Sequence, residues 1–154
     1  VSVRGVLVDA GPLVALLDRR DNHHHRCVEV LRGLTDPLVT VWPALVEAMY
    51  LLEGWQEQAA LWAMVEAGPI ALAPLDDEDV PGLRTLMAKY RDLPMDLADA
   101  ALVHVAGRDG YRRIFSLDRT DFEVYRVSGR ERFTILPPPV EPVRSTRRPG
   151  RSPR

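Results

Sequence analysis

Cysteine is almost missing from this 154-residue chain: Cys27 stands alone, which excludes an internal disulfide and a cysteine-ligated zinc site. So few thiols fit a reducing cytoplasm, the expected location. Long apolar runs are missing too. None approaches the roughly 18–20 residues that span a bilayer, so a soluble protein with no membrane partner is expected. The apolar run 5–8 is too short for a signal-peptide core and passes straight into Asp9. Lysine is as scarce as cysteine, with Lys89 the single example, and this preference for arginine carries no mechanistic weight. What is present is globular in proportion: 46% hydrophobic and 27% charged residues, in a length that suits one domain with a full core.

Charge is unevenly placed. Residues 137–154 hold five arginines and one glutamate, a local charge of +4, so residues 1–136 carry −6 of the total of −2. An acidic body argues against a broad basic face for nucleic acid. It leaves open an acidic site that meets phosphate through a bridging metal ion. The tail 138–154, rich in proline, arginine and serine and without an apolar period, is expected to be disordered, leaving a folded domain over 1–137.

Within that domain, short apolar runs alternate with helical patterns. Strands are expected over 4–8, 38–41, 70–75, 114–117 and 132–136. Helices are expected from 13 after Pro12, over 23–34, 44–52 and 56–67, from the acidic cluster 76–79 to about 90, and over 95–106. This alternation gives an α/β domain with a mostly parallel central sheet of about five strands.

The acids fall at telling places on this frame. Val8-Asp9 and Leu117-Asp118 both end strands, and ligands bind beyond the carboxyl ends of parallel strands. Each aspartate alone could simply cap the following turn. Glu47 lies in an otherwise almost wholly apolar helix, which implies burial with a compensating partner, either an arginine or a metal ion. Asp96 and Asp99 share one face near a helix start. Capping would explain Asp96, but Asp99 lies a full turn inside among small apolar residues. Acids converging in this way need a cation, and their oxygen ligands favour Mg²⁺ or Mn²⁺.

The ordered set Val8-Asp9-Ala10-Gly11-Pro12-Leu13, Glu47, Asp96-Leu97-Ala98-Asp99-Ala100 and Ser116-Leu117-Asp118-Arg119-Thr120-Asp121-Phe122 resembles the PIN domain, and within it the VapC-type toxins of toxin–antitoxin systems. The resemblance spans residues 3–137. It implies a three-layer α/β/α fold and a metal-dependent endoribonuclease with Asp9, Glu47, Asp99 and Asp118 as its acidic quartet. Asp9, Asp99 and Asp118 would hold metal, with Asp96, Asp121 and Ser116 supporting. Of the two helix acids, Asp99 is the better match to the family's one. The resemblance further implies an RNA substrate, a cognate antitoxin and a homodimer.

Other features point elsewhere. Consecutive histidines His23-His24-His25 diverge by about 100° each on a helix and cannot chelate one ion together, so an exposed polar face is expected. His104 is turned away from Asp99 by about 140°. Trp55 and Trp62, seven apart, are expected in the core, as is Cys27. Two rival functions remain: a non-catalytic binding module on the same fold, and phosphoryl transfer of the receiver or haloacid-dehalogenase kind. The latter needs a second acid close in sequence to Asp9 and a well-placed lysine, and the chain has neither arrangement.

Overall fold

The computed structural model describes residues 3–141. In chain order it contains β1 (Val6–Val8), α1 (Ala10–Leu17), α2 (His24–Gly33), β2 (Leu38–Thr40), α3 (Trp42–Leu51), α4 (Trp55–Glu66) and β3 (Ile70–Leu72). It continues with a 3-10 turn (Asp77–Asp79), α5 (Val80–Lys89), α6 (Leu97–Asp109), β4 (Arg113–Phe115), α7 (Arg119–Val124) and β5 (Thr134–Leu136). The tail expected to be disordered falls for residues 142–154 outside the described residues.

The five strands form one sheet in the order β3-β2-β1-β4-β5, every pair parallel. Successive strand residues face opposite sides, and the core divides accordingly. Val6, Val8, Leu38 and Phe115 pack with Leu13, Cys27, Leu45 and Leu61 from α1 to α4. Leu7, Val39 and Ile114 pack with the α6 residues Ala101, Leu102 and Val105 and with Phe122 and Tyr125. Helices therefore cover both faces in three layers. The chain leaves β1 toward β2 on one side and returns through β4 on the other, which puts the topological switch point between β1 and β4. A receiver-like sheet has the different order 2-1-3-4-5, so the topology speaks against the receiver form of that rival.

Several boundaries differ from the sequence reading for local reasons. Helix α1 starts at Ala10, three residues early, because the Asp9 side chain accepts from Ala10 N and caps it. Helix α6 starts two residues late, at Leu97, because Asp96 accepts from Asp99 N, and it runs through Gly107 until Gly110 ends it at φ 89°. Each strand has only three residues. The short helix α7 has no counterpart in the sequence reading. The acidic cluster behaves as expected: Asp76 caps the 3-10 turn, and Asp79 returns a bond to Asp76 N. Asp79 also accepts from Arg108 and lies 2.7 Å from His104 Nε2, so His104 is a strut between α6 and the α5 entrance.

Two expectations about side chains fail. Trp55 is 71% exposed and Trp62 is also exposed, so neither is core. His24 is half-buried with Nδ1 2.7 Å from Ala15 O, whereas His23 and His25 are exposed as expected. Helix α4 is held to the body chiefly by Leu61, its one fully buried residue. Leu61→Ala is expected to cost about 3 kcal/mol, a cavity loss at a fully buried leucine, read as a lower urea midpoint with unchanged slope.

Candidate metal centre

The strand order places the ends of β1 and β4 side by side. Asp9 N donates to Phe115 O at 2.9 Å, fixing Asp9 at the switch point. Its carboxylate is nearly buried: Oδ1 accepts from Ala10 N at 2.8 Å and Oδ2 from Ser116 Oγ at 3.0 Å. Ser116 is itself buried, and its Oγ accepts from Asp118 N at 3.0 Å, so one hydroxyl sets the positions of both strand-end acids. Buried Thr40, at the end of β2, donates to Val8 O and braces the same loop.

Helix α6 enters from the opposite face with its N-terminus toward this point. Its first turn carries Asp99, buried, with Oδ2 accepting from Tyr125 OH at 2.9 Å. Asp96, the cap, stays exposed. Helix α3 packs on α6 and contributes Glu47 from above. Together Asp9, Gly11, Glu47, Asp96, Asp99 and Asp118 line a cleft of about 340 Å³ at the carboxyl ends of the strands, with Leu117 at one wall. Carboxylate oxygens of Asp99, Asp118 and Asp121 all lie within 4.8 Å of one another.

Every acid of the expected quartet thus lines one cleft, and Asp121 stands beside two of them, Asp99 and Asp118. Glu47 corrects the sequence reading: it is exposed, not buried, because the apolar face it shares is itself open to solvent. Tyr125 and Thr40 escape the sequence reading. A buried tyrosine needs an acceptor for its hydroxyl, but no local spacing ties residue 125 to residue 99.

The electrostatics are those of uncompensated like charge. Burial, with smaller contributions from Glu47 and Asp96, pushes the Asp9 carboxyl up to about 6 despite its two hydrogen bonds. Burial, then Asp96, raises Asp99 to about 7 against the lowering effect of the Tyr125 hydrogen bond. Partial desolvation and then Asp96 raise Glu47, and burial with the neighbouring Asp118 raises Asp121. Among the described residues no arginine, lysine or histidine forms an ion pair with any of these six acids. Hard oxygen donors gathered without a protein cation fit a divalent metal ion.

An all-parallel sheet with carboxylates crowded at its switch point is an α/β arrangement suited to a divalent ion. The family model for the PIN domain matches residues 6–128, and the chain belongs to that family. Among curated proteins it is similar to Ribonuclease VapC26 of Mycobacterium tuberculosis, 29% identical over 135 residues that cover 86% of this chain and all of that protein. Among solved structures it is similar to M. tuberculosis VapC20, described as a sarcin-ricin loop cleaving toxin. The TM-score there is 0.68 at 16% identity, over 75% of this chain and 93% of that one, a likeness of fold.

Proposed function

We propose that the protein is a divalent-metal-dependent endoribonuclease, the toxin of a toxin–antitoxin pair, with Mg²⁺ as its ion and Mn²⁺ able to replace it. The observation that carries this reading is the convergence of Asp9, Glu47, Asp96, Asp99, Asp118 and Asp121 with no cationic partner among the described residues, in a PIN domain. A non-catalytic module would have little reason to keep six mutually repelling acids, several of them partly desolvated.

Asp9, Asp99 and Asp118 would hold the ion, with Asp96, Asp121 and Ser116 supporting them. When bound, a divalent ion supplies Lewis acidity, lowering the pKa of water and neutralising charge that develops on the phosphate. The protein's own groups do the rest. Tyr125 fixes the orientation of the Asp99 carboxylate, and Ser116 fixes Asp9 and Asp118 relative to each other. Water adds to phosphorus as the P–O ester bond breaks; the proton that water loses passes to a cleft carboxylate, and the leaving ester oxygen takes up a proton from solvent. Glu47, raised and standing at the open rim, is suited to that proton. Labelled single-stranded RNA incubated with the protein should be cut with Mg²⁺ or Mn²⁺ and left intact with EDTA. Cleavage that persists in EDTA would rule the reading out.

Such a site also implies its restraint. The antitoxin should place an arginine or lysine among the carboxylates, substituting its charge for the metal's. Co-expression with the neighbouring small reading frame should relieve the growth arrest caused by the toxin alone. For pairing of two copies, α3 offers Trp42, Val46 and Tyr50, four apart on one face and 48%, 62% and 86% exposed. Leu97, beside Trp42 and Val46 in one groove, carries this strip on to Val80 and Leu83. We expect a homodimer through it, and Val46→Glu should lower the mass measured by light scattering to that of a monomer.

A further inference from the structure

The two buried carboxylates of the cleft, on Asp9 and Asp99, have four oxygens between them, and three are already engaged. Asp9 Oδ1 accepts from Ala10 N and Asp9 Oδ2 from Ser116 Oγ, while Asp99 Oδ2 accepts from Tyr125 OH. Asp99 Oδ1 alone has no hydrogen-bond partner among the described residues. No buried side-chain oxygen or nitrogen among them is left unpartnered, so that atom is open to the cleft. Tyr125 is the least adjustable of the donors. It is fully buried directly after α7, the helix that Asp118 precedes, and its ring meets Tyr90 and Phe122 edge to face, at centroid distances of 5.0 and 5.2 Å. Tyr90 is fixed in turn, its OH accepting from Arg126 N at 3.1 Å. A phenol hydroxyl held in this way does not follow the carboxylate. Asp99 therefore keeps Oδ2 turned to Tyr125 and presents Oδ1.

We propose that Tyr125 is a positioning residue that sets which cation the cleft prefers, favouring Mg²⁺ over Ca²⁺. The proposal rests on the metal-dependent ribonuclease reading and names what selects the ion in that site. Mg²⁺ demands near-ideal octahedral geometry and keeps several waters, so a carboxylate that offers one fixed oxygen suits it. Ca²⁺ takes more oxygens in flexible arrangements and often both from one carboxylate. Asp99 does not offer both while Tyr125 holds Oδ2. Outer partners of this kind orient the ligands of a metal site and tune it.

The test titrates the full-length protein with MgCl₂, and separately with CaCl₂, by calorimetry at pH 8 and without RNA. Tyr125→Phe keeps the ring and removes only the hydroxyl. The preference for Mg²⁺, taken as the ratio of the Ca²⁺ to the Mg²⁺ dissociation constant, should fall at least about tenfold, the scale of one hydrogen bond to a charged group. Tyr90→Phe removes a hydroxyl from the same aromatic cluster that touches no carboxylate, and should leave the ratio at its wild-type value. Ser116→Ala frees Asp9 Oδ2 and should lower the ratio as well, and it serves as the test if Tyr125→Phe melts below the working temperature. An unchanged ratio in Tyr125→Phe, or in Ser116→Ala where only that variant folds, would overturn the proposal. So would an equal fall in Tyr90→Phe, since packing and not the hydroxyl would then govern the ion. The expected fall in a protein whose wild type cuts no RNA would support the proposal and remove the ribonuclease reading alone. Wild type that binds neither ion would remove both.

Discussion

Asp99→Asn should give a protein that is more stable than wild type without metal and cuts RNA roughly a thousandfold more slowly with it. Both effects come from one carboxylate. In the folded state Asp99 is buried beside Asp96, Asp9 and Asp118, and its carboxyl is raised to about 7 from a usual value of 3.8. Once ionised, as it is at pH 8, it opposes folding, and an isosteric amide removes that opposition. The amide oxygen of the substituted side chain can still accept from Tyr125 OH, so the shape of the site is kept. Melting without metal should rise by roughly 3–8 °C, after allowing for the water that reaches the cleft. Catalysis moves the other way. Asp99 belongs to both the cleft and the tight oxygen group, so its loss removes several kcal/mol of metal-dependent transition-state stabilisation, on the order of three decades in rate. Asp9→Asn should show the same opposed pair of effects. Full activity in either variant would place the chemistry elsewhere on the molecule.

That opposition explains why this site is readable from sequence at all. A residue whose charge works against folding has no place in an apolar context unless function holds it there, and Asp99 before Ala100-Ala101 is such a residue. The alternation of strands and helices likewise follows from short β-branched runs set between periodic stretches. Boundaries are less legible because they depend on caps. Asp9 and Asp96 each recruit a backbone N–H and so decide where α1 and α6 begin, which apolar spacing does not register. Glu47 shows where the logic fails. An apolar helix reads as a buried one, but Trp42, Val46 and Tyr50 face outward, and an exposed apolar face has the same local pattern as a core one. Trp55 misleads for the same reason. Tyr125 and Thr40 are invisible in the sequence because their hydrogen bonds join residues 26 and 32 positions apart.

Metal binding should stabilise the fold strongly at pH 8 and weakly at pH 5. Asp9 and Asp99 hold protons more tightly when folded, near 6 and 7, than their ordinary value of 3.8. Between about pH 4 and 7 the folded state therefore binds more protons than the unfolded chain. Their contribution to stability is greatest below pH 4 and is lost as pH rises through 6 and 7. Asp79 does not disturb this window. Its hydrogen bonds with Asp76 N and then His104, together with Arg108, hold it down to about 2, so its contribution fails only under more acidic conditions. At pH 8 the metal-free protein thus carries two ionised, partly desolvated carboxylates that oppose folding, and a divalent ion finds them ready. At pH 5 the same ion must first displace their protons. With Mg²⁺ at 10 to 100 times its dissociation constant, linkage gives about 1.4–2.7 kcal/mol, or roughly 3–10 °C of melting temperature for a chain of this size. Calorimetry with and without millimolar Mg²⁺ should show that rise at pH 8, little of it at pH 5, and little at either pH in Asp99→Asn. Equal rises at the two pH values would mean that the ion is held by groups already ionised at pH 5, away from Asp9 and Asp99. Equal rises in wild type and Asp99→Asn would carry the same meaning for Asp99 alone.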